Sequence, residues 1–193
     1  MLKQIKTAVL ITLVLTVLTG IIYPLAITAL SQVLFPQQAN GSLITANGKV
    51  IGSELLGQNF AKPEYFHPRP SAAGTGYDAT SSGGSNLGPT SPDLSKRLSA
   101  DAAAFHKDNP QQTGPLPSDL ITASASGLDP DISPASARVQ IARVAQARGI
   151  SPQQMESLVG ANVQGRQLRI LGEPRVNVLK LNLDLDRQYP LKR

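Results

Sequence analysis

Residues 7–34 carry no charged side chain, and residues 8–30 are apolar almost throughout. As an α-helix that apolar stretch is ~35 Å long, enough to cross the ~30 Å hydrocarbon core of a bilayer with some tilt. The competing reading is a signal peptide, whose apolar region runs to about 7–15 residues. Ala29-Leu30-Ser31 offers only a weak cleavage site, so length assigns an uncleaved anchor. Lys3 and Lys6 flank one end, and the nearest charge on the other side is Lys49. Basic residues close to a span stay on the cytoplasmic side. The expectation is a single-pass chain with its N-terminus inside. An anchor of residues 1–34, with the span at about 8–30, then carries one extracytoplasmic domain of residues 35–193.

Within the span, Thr12, Thr16 and Gly20 recur every four residues on one face. Small residues at that spacing let another helix approach closely, because lipid supplies no hydrophobic drive for association. The plainer reading is that Thr and Gly simply occur in spans. Tyr23-Pro24 lies near the outer end, where an interfacial ring and a kink are both tolerated.

The rest of the chain reads as one loop-rich mixed α+β domain. Leu43-Ile44-Thr45-Ala46 and Lys49-Val50-Ile51-Gly52 flank Asn47-Gly48, a pair suited to a two-residue hairpin turn. Residues 63–92 are rich in Pro, Gly, Ser and Tyr without apolar period, which means an ordered binding loop or a flexible one. Ser91-Pro92 opens a helix to about Lys107, with Ser91 as cap. After a second Pro- and Ser-rich loop, Ser133-Pro134 starts one helix whose apolar face runs through Val139, Ile141, Val144 and Ala145 to a stop at Arg148-Gly149. Ser151-Pro152 starts a short helix ending near Val159. Leu179, Leu181, Leu183 and Leu185 alternate with polar residues, which favours a strand; a short helix capped by Asn177 after Pro174 is the alternative.

Chemistry-bearing patterns are sparse. With no cysteine, disulfides and thiolate metal sites are excluded. His67 and His106 are the only histidines and have no paired spacing, so no metal site is expected. Neither Gly-x-Ser-x-Gly nor Ser-x-x-Lys occurs, and no catalytic residue is assigned. The net charge of +5 is interspersed, with few aromatics and no basic run, which makes nucleic acid a poor partner. Asp129-Pro130-Asp131 could be half a hard-cation site, but Ser126-Gly127-Leu128-Asp129 reads better as turn chemistry feeding a helix cap at Ser133. The one suggestive run is Ser82-Gly83-Gly84-Ser85-Asn86. Such a loop ahead of a helix can offer backbone N–H groups to an anion, or its glycines can simply permit tight packing. It lacks the Lys-Ser/Thr ending of a phosphate-binding loop.

Several stretches together resemble one family. They are Gly57-Gln58-Asn59-Phe60; Tyr65-Phe66-His67-Pro68-Arg69-Pro70-Ser71-Ala72; Tyr77-Asp78 with Ser82-Gly83-Gly84-Ser85-Asn86-Leu87-Gly88-Pro89; residues 119–130 with Ile132-Ser133-Pro134; and Gly172-Glu173-Pro174-Arg175-Val176-Asn177-Val178-Leu179. The chain is similar, over essentially its whole length, to the C subunit (KdpC) of the bacterial potassium-transporting Kdp P-type ATPase. The resemblance implies a non-catalytic accessory subunit in the inner membrane, with hydrolysis in another subunit. Its implied partners are a channel-like potassium-translocating subunit, the P-type ATPase subunit and a small single-span subunit. It implies a role in assembly, and either a catalytic chaperone raising the ATPase subunit's affinity for ATP or a device tuning potassium entry. No cofactor is required; ATP enters through the complex, with Ser82, Gly83, Gly84, Ser85 and Asn86 as the candidate nucleotide contact. An outer domain cannot reach cytoplasmic ATP, so the assembly or ion-entry role is the expected one. The alternative class is an independent membrane-anchored binding protein or cell-wall enzyme.

Overall fold

The computed structural model describes residues 1–46 and 48–191. The chain divides into two compact units, residues 1–53 and 54–193. The first contains both the apolar helix and the hairpin that follows it.

In the first unit, α1 (Leu2–Val17), a π-helical turn (Leu18–Ile22) and α2 (Tyr23–Leu34) run on continuously. Leu2–Leu34 is long and apolar enough to cross a membrane, and its most apolar 18 residues have a mean hydropathy of 2.3. The π turn has a local cause. Pro24 has no N–H to give the carbonyl of Gly20, and its ring crowds that oxygen. The turn widens, and Tyr23 N–H reaches back five residues to Leu18. A short helix α3 (Pro36–Ala39) leads to β1 (Leu43–Ala46) and β2 (Lys49–Ser53). These pair antiparallel from Ala46↔Lys49, with an irregularity between Ile44 and Thr45. Gly48 holds a φ of +74°, as a hairpin turn needs; Asn47, expected beside it, lies outside the described residues.

The second unit is mixed α and β. It contains α4 (Pro92–Asp108), a 3₁₀ turn (Ser118–Leu120), β3 (Asp131–Ile132), α5 (Pro134–Arg138), α6 (Ile141–Arg148), α7 (Pro152–Ala161), β4 (Val163–Gln164), β5 (Arg175–Asn177) and α8 (Val178–Gln188). The central strand β5 pairs antiparallel with β3 on one side and β4 on the other. Helices α5 to α8 bury Ile141, Val144, Met155, Val159, Leu181 and Leu185 with Val176 of the sheet and Phe66 of the long loop.

Helix starts follow the expected caps. Ser133 Oγ accepts from Ser136 N–H, and Ser151 forms a reciprocal capping box with Gln154. Ser91 holds the cap position of α4, but its side chain makes no capping bond. Gly149, left-handed at φ +66°, ends α6. Two expectations are corrected. The single helix expected from Ser133 to Arg148 is two, because the chain turns at Val139 and Gln140 to aim Gln140 inward, where it is fully buried. The strand favoured for residues 179–185 is the helix α8, capped by Asn177 Oδ1 on Lys180 N–H at 3.1 Å. Period two in the leucines competed there with a helical set, Val178, Leu181, Asn182 and Leu185, all of it buried.

In a strand Leu181 and Leu183 would share one face. In α8 Leu181 is fully buried and Leu183 is partly exposed. Leu181→Ala should therefore cost ~2–5 kcal/mol in denaturant unfolding, and Leu183→Ala well under half of that. Equal costs would restore the strand.

Candidate functional site

The long loop of the second unit is fastened to its core by side chains. Residues 63–67 belong to no helix or strand, yet Phe66 is fully buried. Peptide groups carried into a core need partners, and all five consecutive carbonyls have one. Arg143 Nη1 donates to Pro63 O (2.6 Å) and Tyr65 O (2.9 Å), and Arg148 Nε to Glu64 O (2.9 Å). Asn182 Nδ2 donates to Phe66 O (3.0 Å), and Gln140 Nε2 to His67 O (3.1 Å). The two amides also accept from the same residues: Phe66 N–H to Asn182 Oδ1 at 2.9 Å and His67 N–H to Gln140 Oε1 at 2.8 Å. Each amide side chain thus stands in for the peptide group of a neighbouring strand.

The clamp is itself a connected network. Arg143 also donates to Asn109 Oδ1 (2.9 Å) and Gln140 Oε1 (2.7 Å). Burial lowers its pKa to about 10, so it stays charged at neutral pH. Arg148, with a fully buried side chain, pairs with Asp186 at 2.7 Å and lies 4.8 Å from the centre of the Tyr65 ring. Tyr65 Oη donates to the other oxygen of Asp186 at 3.0 Å. Burial first, and the Asp186 carboxylate second, hold the Tyr65 hydroxyl above its ordinary pKa.

Beyond residue 67 the loop is strapped to the turn at residues 122–129. Arg69 pairs with Asp129 at 2.9 Å, Ser71 Oγ donates to Gly127 O at 2.6 Å, and Tyr77 Oη donates to Arg69 O. Gly127 has a φ of +68°, and a Cβ there would lie 2.6 Å from both Ala73 N and Gly83 O. Residues 63–92 are thus held by internal bonds along much of their length, in keeping with the ordered-loop alternative.

The Ser82-Gly83-Gly84-Ser85-Asn86 run sits on that same turn. Ser82 Oγ and Gly83 N–H both donate to Ser126 O, at 3.0 and 2.9 Å. A Cβ on Gly84 would come within 3.0 Å of Ala125 O, so the run is pressed backbone to backbone. Asn86 is left-handed at φ +52°. Asp129 Oδ1 accepts from Asp131 N–H, and Asp131 pairs with Arg175, which matches the turn reading of Asp129-Pro130-Asp131. Asp119 accepts from Ser133 N–H and from the hydroxyls of Ser133 and Ser136. His106 Nδ1 lies 2.7 Å from Gln112 O, and His67 Nε2 3.0 Å from Lys62 O, so each ring serves a local bond. In the first unit Thr12, Thr16 and Gly20 are exposed, and a Cβ on Gly20 would meet the Thr16 methyl at 4.0 Å. Gln140, Arg143, Arg148 and Asn182 were not singled out from the sequence. The available signal was polar residues, Arg143 and Asn182 above all, among the buried positions of helices that also bury Ile141, Val144, Leu181 and Leu185.

Two outcomes follow. Asn182→Leu and Gln140→Leu each leave two peptide groups of the segment unpaired, and each should lower unfolding stability by about 1–3 kcal/mol, with Asn182→Gln failing to restore it. His67 is held below its ordinary pKa of 6.5 by burial and by the charge of Arg143. The unfolded chain therefore binds the proton more readily. Stability should fall as pH drops through about 6.5 toward the folded value, and His67→Gln should flatten that slope.

Comparisons with known proteins bear on this geometry. The sequence model of the family described as "K+-transporting ATPase, c chain" matches residues 5–187. The "Potassium-transporting ATPase KdpC subunit" of Koribacter versatilis is 55% identical over 190 residues, covering 98% of this chain and 97% of that protein. The protein of the same name from Rhodospirillum rubrum is 56% identical over 191 residues, covering 99% of both. That of Myxococcus xanthus is 53% identical over 184 residues, covering 95% of this chain and 87% of its own length.

Proposed function

Because the chain belongs to the KdpC family, the c chains of potassium-transporting ATPases, we propose that it is a non-catalytic accessory subunit of an ATP-driven potassium uptake complex. It acts by docking a preformed body onto the other subunits and so stabilising the assembly. Its partners are a channel-like potassium-translocating subunit, a P-type ATPase subunit that hydrolyses ATP, and a small single-span subunit. The anchor crosses the bacterial inner membrane with Lys3 and Lys6 inside, and the second unit lies outside, where it tunes potassium access. The Thr12, Thr16 and Gly20 face serves as the contact for a partner helix.

The observation that carries this reading is how the polar groups of the second unit are used. Arg143, Arg148, Gln140, Asn182 and Asp119 all spend their hydrogen bonds on the unit's own chain. Such a network builds a rigid surface and leaves those groups no freedom to exchange protons with a substrate. The glycine run follows the same logic, since the Gly83 N–H that would face an anion is given to Ser126 O. We therefore assign the Ser82 to Asn86 run a packing role, with any nucleotide binding in isolation incidental to transport. A ligand shifts an equilibrium only through contacts with the states it reaches, and an outer domain does not meet cytoplasmic ATP.

The chain has no cysteine, so Ser85→Cys puts a single thiol in it, and cells carrying the unsubstituted chain supply the background. An impermeant thiol reagent should label it in intact cells expressing the whole complex. Labelling only after lysis would put the second unit inside and make direct assistance to ATP binding the better account. In parallel, cells lacking only this chain should lose growth on limiting potassium, and the purified chain alone should hydrolyse no ATP.

A further inference from the structure

Helix α4 stands apart from the core of the second unit. None of its 17 residues is buried, and its inner face, Leu94, Leu98, Ala102 and Phe105, is only half-buried. Its principal neighbour among the helices and strands is the 3₁₀ turn at Ser118–Leu120. Among the described residues, no hydrogen bond or ion pair joins residues 84–105 to any residue outside 84–109. The last tie before the helix is Gly83 N–H on Ser126 O, at 2.9 Å. The first after it is Asn109, which is 3% exposed and accepts from Arg143 Nε at 2.9 Å. Near the N-terminal end of α4, a Cβ on Gly88 would meet no atom within 4 Å.

The inner face also carries a badly matched charge pair. Arg97 Nε and Asp101 Oδ2 lie 3.7 Å apart, both enclosed and neither with a hydrogen-bond partner. That separation is too long for a hydrogen bond, and enclosed polar atoms left unpaired oppose the closed arrangement. Lifting the helix returns both to water. Burial raises the Asp101 carboxyl above its ordinary pKa, against the pull of Arg97. The seam is incompletely filled as well. A cleft of about 160 Å³ separates Asp101 and Phe105 from His67, Pro68, Pro70 and Leu120.

We propose that α4 is a hinged lid, which undocks and unwinds as one piece between the ties at Gly83 and Asn109, uncovering Pro68, Pro70 and Leu120 while the clamp on residues 63–67 stays closed. This goes beyond the accessory role and holds whatever the unit docks on. A helix in a protein owes most of its stability to the packing of its apolar face, and elements with few buried contacts open at the least cost. The half-buried leucines favour closure, and the enclosed charge pair favours opening. Nothing of that kind opposes α6, whose Ile141 and Val144 lie in the core.

Hydrogen exchange resolved by residue, on the full chain in detergent, tests this. The amides of residues 96–105 should share one protection. It should be at least a hundredfold weaker than that of α6 and of the Phe66 and His67 amides, yet at least tenfold stronger than in an unstructured chain. Arg97→Met combined with Asp101→Leu should slow exchange in α4 at least tenfold and leave α6 unchanged. Protection in α4 equal to that of α6 would overturn the lid. So would a gradient rising from the ends to the middle, which means fraying, or no protection at all, since a lid must close. These readings on the unsubstituted chain decide between lid and fixed helix without any substitution. A double variant with α6 intact and α4 exchange not slowed would overturn the part given to the charge pair.

Discussion

A chain segment outside helix and sheet can pass through a core only if something supplies the hydrogen bonds that regular structure would have provided. Here four side chains do so for residues 63–67: Gln140, Arg143, Arg148 and Asn182 take all five carbonyls. The rest of the second unit depends on that arrangement. It places Phe66 among Val144, Leu181 and Leu185, and so ties the long loop to α6 and α8. It also fixes the point from which residues 69–86 run back over the turn at 122–129, held there by the Arg69–Asp129 pair and by Ser71 and Gly83.

The energetics explain why polar residues are tolerated at such positions. A buried hydrogen bond contributes only about 0.5–1.5 kcal/mol net, while a group left unpaired costs about 1–3 kcal/mol. The clamp therefore adds little to stability compared with an apolar core of the same size. It makes the alternatives to one loop path expensive, and what it contributes is uniqueness of shape. A subunit whose task is to fit others needs that more than it needs depth of fold.

Local signals in the sequence were read well where the physics is local. The apolar run of residues 8–30, the Ser-Pro helix starts at Ser133 and Ser151, the stop at Gly149 and the turn from Ser126 to Asp129 each involve residues a few positions apart. Three features failed to show because they are settled by distant partners. The Leu179 to Leu185 alternation fits a strand on its own; only the burial of Val178 and Asn182 on the Leu181 face, against Phe66 and its backbone, selects the helix. The break at Val139 and Gln140 likewise serves a bond to His67, 73 residues away. The loop 63–92 offered no period for the same reason: its order comes from side chains far along the chain. Some of the stretches that carried the family resemblance, Tyr65 to Ser71 and Ser82 to Asn86 among them, lie in this clamp and its strap, and there the resemblance reached what local pattern could not.

If the second unit acts as a preformed docking body, the clamp must be closed before any partner arrives. Hydrogen exchange of the Phe66 and His67 amides, measured on the full chain in detergent without other subunits, tests this most directly. The account predicts protection comparable to the amides of α6, because opening either bond means withdrawing the segment from the core. Exchange at the rate of an unstructured chain, with α6 still protected, would contradict it and make the loop one that folds only on binding.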